Sequence, residues 1–257
     1  VTEIKCCGCL PDPIDHRHHA DFERLGLTAG TEQWPSLRAF CGEVLNQQST
    51  SSCVPHAILD AERTTLRARH LIDAPLGSIL QLYYGARFRS GLHGSDDGCY
   101  PSVAIFELEA NGIAPAFQWP FAPMHVQKRP PIAATRDAYE RRGMRDTYAI
   151  HESTVDGRIA AMRAALNAKR AGTMQIPVDR AMMFSNGVTL IEYAKLGAIE
   201  GYHLVEFVAL ADDGGPCVEI KNSWGSGWRD GGYAYLDRGF IDNTQSLYII
   251  DPKDPPR

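Results

Sequence analysis

The spacing of apolar residues changes character along the chain, helical in front and strand-like behind. In the front part Val54, Ile58 and Ala61 fall at i, i+4 and i+7, with Leu59 and Leu66 forming a second line beside them. That spacing predicts an amphipathic helix beginning near Cys53. Ser51 and Ser52 are N-cap residues of the right type, and Pro55 is tolerated because it falls in the first turn. A second helix is predicted from about Pro101, with Val103, Phe106 and Ala110 inward and Gly112 as its stop. A third runs from about Thr154 to Ala171, with Val155, Ile159, Met162 and Leu166 on one face and Gly172 behind it. Beyond it the runs become short and rich in β-formers: His203 to Leu210, Cys217 to Lys221, Gly232 to Leu236 and Leu247 to Ile250. Helices followed by strands make an α+β order. The first fifty residues have weak periodicity and read as loop, and residues 122 to 148 read as a crossover between the halves.

Composition narrows the function classes. With 257 residues, 44% apolar and 22% charged, the chain is a globular protein with enough length for a real core. Its formal charge of -5 and the lack of a long basic run argue against binding nucleic acid through phosphate neutralisation. No apolar run is long enough to span a bilayer. Val1 to Leu10 carries no apolar h-region, which predicts no cleavable secretory leader. The expected location is the cytoplasm, or export as an effector without such a signal.

Seven cysteines, at 6, 7, 9, 41, 53, 99 and 217, cannot all pair within one chain. The Cys6-Cys7-x-Cys9 cluster with His16, His18 and His19 matches no dependable zinc spacing and reads as a mobile thiol-rich terminus. No metal and no cofactor are expected. Cys53 differs from the rest because it opens a predicted helix, where backbone N–H groups and the helix dipole favour thiolate. Gln47, six residues earlier, is an amide donor of the kind that stabilises an oxyanion. His203 opens a predicted strand and Asn222 ends a nearby one, so the two can face each other across a hairpin. His56, one turn along from Cys53, is expected to have a surface or packing role, and Arg141, Arg142 and Arg145 to lie on the surface. Asp96 and Asp97 read as a solvated loop or a negative rim of the cleft.

Together these motifs resemble the papain-like cysteine peptidases, in particular divergent bacterial members. Asn222-Ser223-Trp224-Gly225-Ser226-Gly227-Trp228 is similar to that family's segment around its orienting asparagine. Gly98-Cys99-Tyr100-Pro101, followed by a helix to Asn111-Gly112-Ile113 and then Trp119-Pro120-Phe121, resembles the run from its groove glycines onward. Pro11-Asp12-Pro13-Ile14-Asp15-His16-Arg17 looks like the start of the mature domain. The resemblance spans about residues 10 to 250 and is weak across 18–44 and 122–150.

The resemblance implies a two-lobed fold, a helical lobe over about 45–120 and a β-barrel-like lobe over about 150–250, with the cleft between them. Residues 1–9 would be an N-terminal extension and 251–257 a tail. By position Cys53 would be the nucleophile, His203 the general base and acid, Asn222 its orienter and Gln47 the oxyanion donor. Trp224 would cover the His203–Asn222 pair. Gly98 and Cys99 would line the groove, and Tyr100, Pro101 and Leu204 an apolar pocket for the residue two before the cut. The expected activity is endopeptidase cleavage of a peptide or protein substrate through a thioester. A thiol acyltransferase or glutamine deamidase would use the same residues, and a non-catalytic member would bind a peptide or partner.

Several positions depart from the family pattern. Val54 replaces a tryptophan, Cys99 a second groove glycine, and both ends of a common disulfide are lost as Thr50 and Asp96. With only about ten residues ahead of the domain start, restraint of activity would fall to another device, such as a protein inhibitor or regulatory partner.

Overall fold

The computed structural model describes residues 7–12, 20–28, 30–70, 74–184 and 190–253. Cys6, His16, His18, His19 and the run from Pro13 to Arg17 lie outside these residues. The three predicted helices are present as α1 (Cys53–His70), α3 (Pro101–Asn111) and α5 (Val155–Asn167), and α2 (Ile79–Arg89) and α4 (Ile132–Glu140) add to them. Two short helices follow, α6 (Arg180–Phe184) and α7 (Arg238–Asn243).

Local chemistry sets the helix ends. Pro101 begins α3, where a missing N–H costs nothing, and Gly112 ends it at φ 69°, a conformation that favours glycine. Thr154 caps α5 by accepting from the Gly157 N–H. That helix stops at Asn167, four residues before the predicted end, because Gly172 opens a strand instead of closing the helix. The strand, β3 (Gly172–Asp179), was hidden by Pro177, a residue that normally argues against an interior strand. Here β8 (Leu247–Pro252) pairs with β3 only over Gly172–Met174, so among the described residues no strand lies on that side of Pro177.

The other strands are β1 (Ala20–Asp21), β2 (Arg145–Ala149), β4 (Leu190–Ile191), β5 (Ile199–Asp212), β6 (Pro216–Lys221) and β7 (Tyr233–Asp237). They form one mixed sheet in the order β1-β2-β8-β3-β5-β6-β7-β4. The predicted crossover over 122–148 thus contains α4 and β2. Arg145, expected on the surface, is largely buried on β2, because it pairs with the buried Glu62 of α1.

A single apolar cluster runs from α1, α2 and α3 into the sheet, and α1 packs directly against β5 and β8. Burial on both sides of α1 therefore fixes where its first residue, Cys53, sits relative to β5. Between them lies a buried ionic group: Lys221 Nζ is 2.6 Å from Asp60 Oδ2, and Glu206 is 1% exposed beside them. Among the described residues no helix is long and apolar enough to cross a membrane.

Candidate active site

Three elements bring the predicted residues together. Cys53 is the first residue of α1, His203 and Leu204 lie on β5, and Asn222 directly follows β6. The antiparallel pairing of β5 with β6 carries Asn222 alongside His203. His203 Nε2 donates to Asn222 Oδ1 at 2.7 Å, and the same oxygen accepts from the Ser223 N–H at 2.7 Å. This bond places the imidazole proton on Nε2 and leaves Nδ1 to face other chemistry. Trp224 lies over the imidazole, with ring centroids 4.6 Å apart, and Trp228 meets it edge-on at 5.4 Å. His203, Asn222 and Trp224 are all buried.

Gln47 is fully buried, and its amide plane is fixed from both ends. Nε2 donates to the Thr50 carbonyl at 2.8 Å, and Oε1 accepts from Ser223 Oγ at 2.7 Å. The backbone ties the same segments: Gln47 N donates to Ser223 O, and Gly225 N to Leu45 O. His56 is buried within the helical part, donating through Nδ1 to the Ser52 carbonyl at 2.7 Å and packing edge-on against Phe121, with centroids 4.8 Å apart. Burial pushes its pKa down to about 4. Its contacts are those of a packing residue.

The disulfide that the resemblance would place beside the nucleophile has a polar substitute. Asp96 accepts from the Ser51 N–H at 3.2 Å and from the Tyr83 hydroxyl, while Tyr83 Oη accepts from the Gly98 N–H at 3.2 Å. Asp96 therefore ties the loop before Cys53 to the groove residues, which corrects its expected role as a solvated rim.

The largest surprise is the N-terminal segment, expected to be mobile. Cys7 to Leu10 instead lies along the groove between the two walls. Cys99 N donates to Gly8 O at 3.0 Å, Leu10 N to Cys99 O at 3.1 Å, and Cys9 N to Tyr202 O at 3.2 Å. Cys9 pairs with Cys99 in a parallel bridge. A Cβ on Gly98 would stand 2.0 Å from Gly8 O, so the bare groove glycine is what admits this backbone. Further along, the Asp12 carboxylate accepts from the Ser102 N–H, Ser246 Oγ and Tyr248 Oη. The only sequence signal for this docking is Gly8 itself, flanked by cysteines.

The segment also changes the state of Cys53. Burial pushes the thiol up to about 11, opposed by backbone N–H groups of Leu204, Gly8, Val54 and Cys53. The expected lowering by the helix start is thus outweighed by burial in this structure. Cys99 is fully buried and its thiol is raised well above the usual value by burial, then by Cys53. Tyr100 is half-buried, Pro101 and Leu204 are buried, and Leu204 brings its N–H to Cys53.

Residues 81–247 match the model of the papain family cysteine proteases, a stretch longer than half the chain. The match includes His203 and Asn222 and begins after α1. An uncharacterized peptidase C1-like protein of Acanthamoeba polyphaga mimivirus is 26% identical over 216 residues, covering 80% of this chain and 68% of that protein. The fold is similar to xylellain, a cysteine protease from Xylella fastidiosa, with a TM-score of 0.82 and 21% identity over 96% of each chain. It also resembles a digestive procathepsin L2 proteinase from the larval midgut of Tenebrio molitor, at a TM-score of 0.72 and 19% identity over 97% of this chain and 78% of that one.

Proposed function

Since the chain belongs to the papain family of cysteine proteases, we propose that it is an endopeptidase in which Cys53 attacks the peptide carbonyl, with His203 and Asn222 completing the triad. The observation that carries this reading is the 2.7 Å bond from His203 Nε2 to Asn222 Oδ1 beneath Trp224. Because that bond holds the proton on Nε2, Nδ1 is the nitrogen that takes the Cys53 proton. The thiolate attacks, and the oxyanion forms beside the Cys53 N–H and the Gln47 amide, whose plane is already fixed by Thr50 and Ser223. Nδ1–H then protonates the leaving amine as the C–N bond breaks, giving the thioester. A water, giving its proton back to Nδ1, hydrolyses the thioester to the acid and restores the thiol.

Replacing Cys53 by Ala is expected to abolish cleavage of a peptide library read by mass spectrometry while thermal unfolding is unchanged. Retained cleavage overturns the assignment of the nucleophile. Mass gains matching acyl or amine addition, or a shift of about one dalton without chain cleavage, would instead assign acyl transfer or deamidation to the same thiol.

A further inference from the structure

The side chain of Cys9, carried by the groove-bound segment, ends against a buried polar group. Cys9 is held by backbone between Tyr202 and Cys99, and its side chain reaches Gln175 on β3. Gln175 Nε2 donates to Cys9 Sγ at 3.2 Å. Gln175 is 1% exposed and pairs directly across the sheet with Leu204, the residue whose N–H meets the Cys53 thiol. Its backbone is satisfied, N–H to Ser246 O and carbonyl from Thr244 Oγ1. Among the described residues its side-chain carbonyl Oε1 is buried with no hydrogen-bond partner.

Gln175 lies in the buried run Thr173-Met174-Gln175-Ile176, and among the described residues only Cys9 pairs with its side-chain amide. Leaving a buried amide oxygen unpaired is costly, so such a group asks for a ligand that pairs with it. Cys9 answers only half of the demand: sulfur is a weak acceptor for Nε2, and its thiol points a long contact of 4.0 Å at Leu10 O instead of at Oε1.

We propose that Gln175 is a specificity-determining residue, and that it makes this pocket select a substrate residue bearing a side-chain carboxamide, asparagine or glutamine, two positions before the scissile bond. A carboxamide offers the matching pair: its oxygen accepts from Gln175 Nε2, and its NH2 donates to Gln175 Oε1. An aliphatic side chain of similar size leaves both Gln175 atoms without partners. The apolar pocket expected from Tyr100, Pro101 and Leu204 would then carry one polar group, the Gln175 amide. The proposal rests on the catalytic reading above and takes the position relative to the cut from the pocket that the family resemblance implies.

The test uses two peptides identical except for Asn or Leu at that position, with two readouts. The first is binding of each peptide to the full-length Cys53→Ala protein by fluorescence polarisation, which needs no catalysis. The groove segment competes with both peptides alike, so the ratio of the two dissociation constants is independent of it. The Asn peptide is expected to bind about 10-fold more tightly than the Leu peptide, the size of one well-made pair of buried hydrogen bonds. In Gln175→Met, which keeps the shape and removes both polar atoms, the ratio should invert. Gln175→Glu, which retains oxygen acceptors, should keep the Asn preference and guards against a misfolded Met variant. Leu binding equal to or better than Asn in the parent, or a ratio unchanged in a folded Gln175→Met, overturns the proposal. The second readout is kcat/KM of the wild type on the same pair. Absence of cleavage together with the expected binding ratio would count against the catalytic reading and leave the pocket assignment standing.

Discussion

Replacing Gly8 by Ala should uncover the cleft without touching any residue of its walls. A Cβ at Gly8 would sit 1.9 Å from the Ser51 carbonyl oxygen and 2.5 Å from its carbon. Both are backbone atoms in the tight turn before α1, so the groove segment must give way. Three backbone hydrogen bonds hold it, from Cys99 N to Gly8 O, Leu10 N to Cys99 O and Cys9 N to Tyr202 O. At about 1 kcal/mol net for each bond, the segment loses about 3 kcal/mol of hold. With about 1.4 kcal/mol per tenfold, the open fraction rises by up to about 100-fold. Apparent kcat/KM follows the open fraction for as long as the covered form predominates. The assay pairs peptide hydrolysis with iodoacetamide labelling of Cys53, located by peptide mapping because other thiols are present. Both rates should rise together. The labelling profile should also move to lower pH, since the burial that pushes the thiol up to about 11 is relieved. Rates within twofold of the parent in a Gly8→Ala protein that melts normally would refute the reasoning.

Two further outcomes follow from polar groups outside the proposed triad. Asp96→Ala strands the Ser51 N–H and the Tyr83 hydroxyl, and should cost about 1–3 kcal/mol in urea unfolding. A midpoint unchanged from the parent would show that the two loops are held by something else. Glu206, held up to about 8 by burial and then by the nearby Asp60 charge, is protonated in the fold at neutral pH. A raised folded pKa means that its stabilising contribution is complete below about 4.5 and disappears as pH rises through about 8. The urea midpoint should therefore fall between pH 6 and 9 in the parent and be flatter in Glu206→Gln; identical slopes would refute the assignment.

Elements with strong periodicity or a clear terminus could be read from the residues alone. Cys53, Pro101 and Thr154 begin or cap their helices where the pattern placed them, because capping and proline geometry act within one turn. Long-range docking could not be read in this way. β3 carries a proline and a buried amide, both of which make sense only once β5 and the groove segment are beside it. α2 has Gly85 at its middle, a helix-weakening residue, and a Cβ there would stand 2.4 Å from Glu107 Oε1 of α3. The Glu107 side chain of α3 fills the space beside this glycine, and no local pattern records it. Within the site, His203 and Asn222 were legible because a hairpin joins them. The seat of Cys7 to Leu10 was not, since its partners, Cys99 and Tyr202, are about ninety and two hundred residues away.

The Asp96 tether has a consequence for the conditions under which this molecule can work. A cysteine protease that braces its nucleophile loop with a disulfide places two opposite demands on its surroundings: reducing enough to keep one thiol free, oxidising enough to keep another pair joined. Here the brace is a carboxylate receiving an amide N–H and a phenol. On the proposed reading of Cys53 as nucleophile, strong thiol reductants can keep it in its working state without loosening the loop that carries it. The cleft can therefore be chemically activated and mechanically intact in the same solution.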